Sequence, residues 1–249
     1  MTPDPTLLDT DDRMEGSLLS RRRVLRLLGL TGSGLALGAG TGLESASAAD
    51  LPGCVVRPAR TEGPYFKDER LTRSDIRSDS KTGTVRPGVP LTLTFKVLRV
   101  STAGCAPLAG IVIDLWQCDA QGVYSDIGGE RTRGQDYLRG AQTTDAKGVA
   151  TFRTVYPGWY PSRTVHIHFK ARQVVGGQVR SSFTSQLFFD DAVSDQVMKL
   201  PAYARPGARS TRNANDNIYG NGGHQLELSL KGSPQAGFTS TFELGMNLK

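Results

Sequence analysis

Over most of the chain, hydrophobic positions recur at every second residue in short runs broken by Gly and Pro. Leu91, Leu93, Phe95 and Val97 alternate with polar neighbours across Pro90–Val97. Side chains two apart on an extended chain share a face, so this run predicts a strand with one face in a core. Ile111–Gln117 is almost continuously apolar, and Gly148–Val155 is rich in β-branched and aromatic residues. Across Thr164–Arg172, Val165, Ile167 and Phe169 alternate with His166, His168 and Lys170. Further strands are predicted over Ser182–Phe189, over Gln225–Leu230 with Leu226, Leu228 and Leu230 in alternation, and over Thr239–Leu244. Turn residues lie between them at Arg86-Pro-Gly88, Asp145–Gly148, Tyr156-Pro-Gly158 and Val175-Gly-Gly177. The one good helix signal is short, from Asp191 to Leu200, and stops at Pro201. Strands do not alternate with helices, which argues against a parallel α/β sheet. The pattern predicts an all-β chain: a two-sheet β-sandwich with long loops and one short helix. Arg205–Gly223, dominated by Arg, Asn and Gly, reads as a surface excursion too polar to pack.

Residues 1–48 break this pattern. A polar, acidic stretch is followed by Ser20-Arg-Arg-Arg-Val-Leu-Arg26, then by an apolar, Gly-rich run from Leu27, and it closes on Ser45-Ala-Ser-Ala-Ala49. A charged start, a short apolar centre and small residues before a cleavage point describe an export signal. The paired arginines resemble the twin-arginine motif, which a receptor reads as an address. Residues 1–48 are therefore expected to be a removed signal and residues 49–249 a single domain. The expected location is periplasmic or extracellular in a bacterium, with no stable membrane span after cleavage.

Composition then narrows the function. The 249 residues carry a formal net charge of +6. The leader holds five of the 30 basic and six of the 24 acidic residues, so the remainder is net +7. These charges are interleaved, without a basic stripe set among aromatics, so no nucleic-acid partner is expected. Cys54, Cys105 and Cys118 are the three cysteines, facing an oxidising compartment. They allow one disulfide and one remaining thiol, with Cys54–Cys118 the favoured pairing. The sequence sets no oligomeric state.

Only three histidines are present, and two form His166-Ile-His168. On a strand they share a face, opposite the core-facing Val165, Ile167 and Phe169, at a spacing that suits two imidazoles on one metal. His224, in a Gly/Asn-rich stretch, reads as a loop residue. Trp116 and Trp159 read as packing. Tyr160 lies six residues before His166 in a Pro/Gly-rich turn that could fold it over the His face, and Tyr124 follows the apolar strand. No carboxylate is spaced to complete a two-His-one-carboxylate site, and no Cys/His/Met set suggests copper. Phenolate is a hard anion that forms near neutral pH only beside a strong cation. Two tyrosinates and two imidazoles would suit iron(III).

These residues sit in ordered motifs: Thr61-Glu-Gly-Pro-Tyr-Phe66, Gly110–Trp116 running into Gly122-Val-Tyr124, Phe152–Tyr160, Arg163–Phe169 and Ser185–Phe189. In this order they resemble the intradiol ring-cleavage dioxygenases, which include the catechol 1,2- and protocatechuate 3,4-dioxygenases, and within them the short exported branch. The resemblance implies one non-haem Fe(III) per chain, held by Tyr124, Tyr160, His166 and His168. It implies a catechol-type substrate and O2, with both oxygen atoms incorporated into a muconate-type product. Tyr160 would leave the metal and take a substrate proton, Arg163 would steady charge on the ring, Gln186 would line the pocket, and Tyr65 would border its mouth. The segment between Tyr160 and His166 is shorter than in the cytoplasmic members, and their N-terminal helical segment is absent. Arg163 and the positive chain raise the further expectation that carboxylated catechols are favoured. The competing reading is a secreted, non-catalytic β-sandwich module for aryl or polysaccharide ligands, which would need no four-ligand set.

Overall fold

A computed structural model describes residues 55–248 apart from 69, 103 and 128–130. The expected signal, residues 1–48, and Cys54 lie outside the described residues. The described chain is two packed sheets. One holds β1 (Pro90–Ser101), β2 (Gly104–Pro107), β5 (Val149–Val155), β8 (Lys231–Ser233) and β9 (Gly237–Met246). In it β1 is central: β2 and β5 pair antiparallel along one of its edges, and β9 runs parallel along the other. The second sheet has the order β4 (Arg139–Thr143), β3 (Ile111–Trp116), β6 (His166–Val175), β7 (Gln178–Phe188), all antiparallel.

The predicted alternation sets which faces meet. Leu91, Leu93, Phe95 and Val97 of β1 are buried against Ile111, Ile113 and Leu115 of β3 and Ile167, Phe169 and Ala171 of β6. Phe95 bridges the layers, its ring 5.2 Å from Phe169 and 5.9 Å from Phe242. Burying a side chain of this size contributes roughly 1.5–3 kcal/mol. Because this core takes one face of β6, His166 and His168 project from the outer face of the second sheet. They are nonetheless buried, so loops must cover that face.

The structure corrects several expectations. Gln225–Leu230 is not a ladder strand. Gly223–Leu226 is a 3-10 turn, Glu227 makes one isolated bridge to Phe188, and pairing resumes at β8. Leu226 and Leu228 are buried, so their alternation reports packing, not pairing. Arg205–Gly223 does pack: Thr211, Asn213 and Asp216 are buried, and the polar groups of Asn213 and Asp216 bond back to the sandwich. Strands β2 and β4 were not signalled, since Gly-Cys-Ala-Pro and Arg-Gly-Ala-Gln-Thr lack apolar alternation. Among the described residues the single helix of more than one turn is α1 (Asp191–Val197), capped by the Asp190 carboxylate on the Val193 N–H. A one-turn α2 (Asn217–Gly220) follows in the polar loop. Cys118 is a buried free thiol and Cys105 is disulfide-bonded, which overturns a Cys54–Cys118 pair. Among the described residues no helix is long and apolar enough to cross a membrane.

Candidate metal centre

Strand register builds the floor of the site. Arg139 on β4, Trp116 on β3, His168 on β6 and Gln186 on β7 are successive partners across the second sheet. Directly paired residues share a face, so these four line one row on the outer side. The Trp116 ring lies flat on His168, with centroids 5.1 Å apart and planes 9° from parallel. Trp116 therefore packs as expected, but what it packs against is a candidate ligand.

Two loops add the tyrosines. After β3 the chain turns at Asp119–Gly122, where the Asp119 carboxylate accepts from the Gln121 and Val123 N–H groups. Gly122 has φ +77°, and a Cβ there would stand 2.1 Å from the Trp159 carbonyl oxygen. A Cβ on Gly158 would meet the Ala120 carbonyl oxygen at 2.4 Å. These two glycines let the Tyr124 and Tyr160 segments touch backbone to backbone. The Tyr124 and Tyr160 rings end 5.9 Å apart, and Tyr65 covers Tyr124 at 4.5 Å and Tyr160 at 6.5 Å.

The donor atoms converge. Tyr160 Oη and His168 Nε2 are each 3.0 Å from His166 Nε2. His166 Nδ1 faces the Thr164 carbonyl oxygen at 2.7 Å, so it carries the proton and Nε2 presents its lone pair. Metal–imidazole bonds of about 2.0–2.1 Å at right angles would put two ligand atoms about 3 Å apart, which the observed spacing matches. Burial, and then the Arg163 guanidinium, holds the His166 imidazole well below its usual pKa. Burial, then His166, Arg163 and Arg139, does the same to His168. Both rings are thus neutral, the form that binds metal. Burial, and then Tyr160, pushes the Tyr124 phenol well above its usual pKa, so only a strong local cation would ionise it. The Tyr124 hydroxyl is buried with no well-aligned hydrogen bond, although Tyr160 lies close enough to raise its pKa. A buried polar group left this way is uncommon. Among the described residues no cluster of three or more His, Cys, Asp or Glu could hold a metal, so any metal here needs tyrosine oxygen. The donor set fits a hard cation.

Arg163 and Gln186 complete the wall. Arg163 donates from Nε to Asp216 at 2.9 Å and from Nη2 to Gln186 Oε1 at 2.5 Å. Gln186 in turn donates to the Thr61 carbonyl at 3.0 Å. All seven residues singled out in the sequence, Tyr65, Tyr124, Tyr160, Arg163, His166, His168 and Gln186, thus meet on one face. His224 lies apart, exposed in its 3-10 turn. Two members were missed. Arg139, buried, donates to the Tyr65 carbonyl at 2.7 Å and to both Oγ and the carbonyl of Ser125 at 2.9 Å, tying the Tyr65 segment to the Tyr124 loop. Asp216 lies 53 residues beyond its partner Arg163, in the loop read as a surface excursion. No local signal in the sequence marks either one.

A two-sheet sandwich whose outer face buries a mixed Tyr/His centre under loops defines a narrow class of proteins. The family model described as Dioxygenase matches residues 61–216. An intradiol ring-cleavage dioxygenase from Tetranychus urticae superimposes with a TM-score of 0.65 at 29% identity, over 78% of this chain and 95% of that one. The dioxygenase domain of a dioxygenase–carbohydrate-binding protein fusion from Streptomyces sp. SirexAA-E superimposes at 0.54 with 32% identity, over 78% of this chain and all (100%) of that one. Catechol 1,2-dioxygenase 1 of Acinetobacter lwoffii is 27% identical over 175 residues. The chain spans about half of that relative, 53% of its length. The chain belongs to the intradiol ring-cleavage dioxygenase family.

Proposed function

We propose that this chain is a non-haem iron(III) dioxygenase that opens the ring of a catechol-type diol between its two hydroxylated carbons. The observation that carries this is the convergence of Tyr124, Tyr160, His166 and His168 in one buried site with neutral imidazoles. Iron(III) bound by these four would supply a hard, highly charged centre that holds both diol oxygens as anions. The chain supplies the rest. Tyr160, half-buried at the edge of the cluster, is placed to take a proton from a diol hydroxyl onto Oη. Arg163 and Gln186 fix the ring and steady negative charge that builds on it. Tyr65 and Trp116 wall the site and keep water from the reacting carbons. One C–C bond breaks, both atoms of O2 enter the product, and a muconate-type dicarboxylate results, so no external reductant is consumed. Export by the twin-arginine route is part of the same proposal. Replacing Arg21 and Arg22 with Lys is expected to retain the protein inside the cell, and unchanged export would overturn that part.

The test is iron-loaded full-length protein, assayed for O2 uptake with a panel of catechols and for the ring-opened dicarboxylate. A visible tyrosinate charge-transfer colour, stoichiometric O2 uptake and that product are expected. Colourless protein that takes up no O2 after iron loading would overturn the reading and leave a non-catalytic binding module.

A further inference from the structure

We propose that Asp216 is the positioning residue for Arg163, and that by cancelling its charge it sets the site for catechols without a further negative group. The inference rests on the dioxygenase reading above and refines its substrate class, against the expectation that a positive pocket favours carboxylated rings.

Asp216 is buried and its carboxylate is saturated. Oδ2 accepts from Arg163 Nε at 2.9 Å and from the Thr164 N–H at 2.8 Å, and Oδ1 accepts from the Ile218 and Tyr219 N–H groups, each at 2.9 Å. The last two bonds cap α2, so the carboxylate is fixed by the loop that carries it. The pair is almost sealed, with side-chain exposures of 7% for Arg163 and 1% for Asp216. Charge-assisted bonds of this kind are the strong ones, and a buried partner cannot be screened by salt.

The same carboxylate reaches a candidate ligand. Thr164 donates its N–H to Asp216 and its hydroxyl to Asn213 Oδ1 at 2.6 Å, and its carbonyl accepts from His166 Nδ1. Asp216 therefore fixes both the guanidinium and, through its N–H, the residue Thr164, whose carbonyl in the next peptide orients the His166 ring. A one-residue path thus runs from the polar 205–223 segment to the centre.

The charge consequence follows. A buried guanidinium without an acid would seize a carboxylate in a two-pronged grip. Here the Nε side of Arg163 is already committed to Asp216 and Nη2 to Gln186. A second carboxylate brought to this arginine would meet the field of Asp216, and like charges at short range repel. A ring that carries only its diol meets no such opposition.

The experiment compares catechol with 3,4-dihydroxybenzoate on the iron-loaded full chain. Wild type is expected to prefer catechol in kcat/KM by about tenfold or more, and a preference of that size for the carboxylated ring overturns the proposal. Asp216→Asn is expected to cut kcat/KM for catechol at least about tenfold and to raise the carboxylated-to-plain ratio by about tenfold. Asp216→Glu, which keeps the charge, should hold the wild-type ratio. Asn213→Ala loosens the same loop without changing charge, and should lower Tm while leaving the ratio alone. A folded Asp216→Asn variant with an unchanged ratio overturns the proposal. If that variant does not fold, the wild-type preference and Asp216→Glu decide it. A readout free of metal is the binding of benzoate against phenol to chelated protein, followed by tyrosine fluorescence. Benzoate should bind no tighter than phenol in wild type. Wild type that consumes no O2 with any catechol would instead overturn the dioxygenase reading, and the benzoate comparison would still judge Asp216.

Discussion

Tyr124 holds stability and function in opposition. Its hydroxyl is buried without a well-formed hydrogen bond, and such a group costs about 1–3 kcal/mol when nothing compensates it. Tyr124→Phe is therefore expected to leave the metal-free protein as stable or to stabilise it by up to about 1 kcal/mol. Iron content of the loaded protein should fall. A lower Tm in the metal-free variant would mean that the hydroxyl is satisfied in ordinary structure. Trp116 is the contrasting case, because its ring carries both packing and ligand orientation. Trp116→Ala should cost about 3–5 kcal/mol in thermal or urea unfolding, while Trp116→Phe, which keeps a flat partner for His168, should cost far less. Cys118 gives a third check on the same cluster. Burial, and then the Asp119 charge, pushes its thiol well above the usual value, so little thiolate exists at pH 8. A thiol reagent at pH 8 should modify Cys118 only after the protein is unfolded. Rapid modification of folded protein would contradict the buried assignment. At this scale the donor types were legible in the sequence, since His-x-His on a strand and tyrosines near it restrict the possible chemistry. Arg139 and Asp216 were not, because each is defined by a partner 14 or more residues away.

The elements that position these residues differ in how plainly the sequence announced them. β1 and β6 were legible because their apolar alternation faces a core, β3 from its almost continuous apolar run, and β5 from its β-branched and aromatic residues. Their register was not, and it is register that aligns Arg139, Trp116, His168 and Gln186. The loops escaped for a further reason: their order comes from ion pairs and backbone bonds that composition does not encode. The 205–223 loop is the clearest example. Arg209 bonds both Asp191 and Asp195 of α1, and Arg212 also reaches Asp195. Arg212, and then Arg209, holds the Asp195 carboxyl below its ordinary range. Its folded pKa is lower than the unfolded value of about 3.9, so its contribution is complete above that value and is lost as the pH falls through the folded pKa. The Asp195 side chain is 39% exposed, so the contribution is small, about 0.5 kcal/mol or less, and salt weakens it. Protease nicking within 205–216 should accordingly increase below about pH 4 before the sandwich unfolds. Asp195→Asn should reproduce part of that increase at neutral pH. Equal nicking in wild type and variant at neutral pH would show that the latch holds nothing.

For the whole molecule, the core and the centre occupy opposite faces of the same sheet. The sandwich closes through Phe95, Phe169 and Phe242 without help from the tyrosine and histidine cluster. The centre, by contrast, gathers groups from β3, β4, β6, β7 and four loop segments, and each of these must hold its place against the others. A cation at the centre would therefore tighten the covering loops while adding nothing to the two-sheet core. A ligand bound only by the folded state at one hundred times its Kd adds about 2.7 kcal/mol. For a domain of this size each kcal/mol is worth about 2–4 °C, so iron loading is expected to raise Tm by roughly 5–10 °C. Far-UV circular dichroism should not change on chelation, because no strand depends on the metal. Hydrogen exchange should slow at 118–127, 131–138 and 205–223 and stay constant in β1, β5 and β9. If chelation instead erased the strand signal, core and centre would be one cooperative unit, and the separation of the two faces of the second sheet would not describe how this protein is held together.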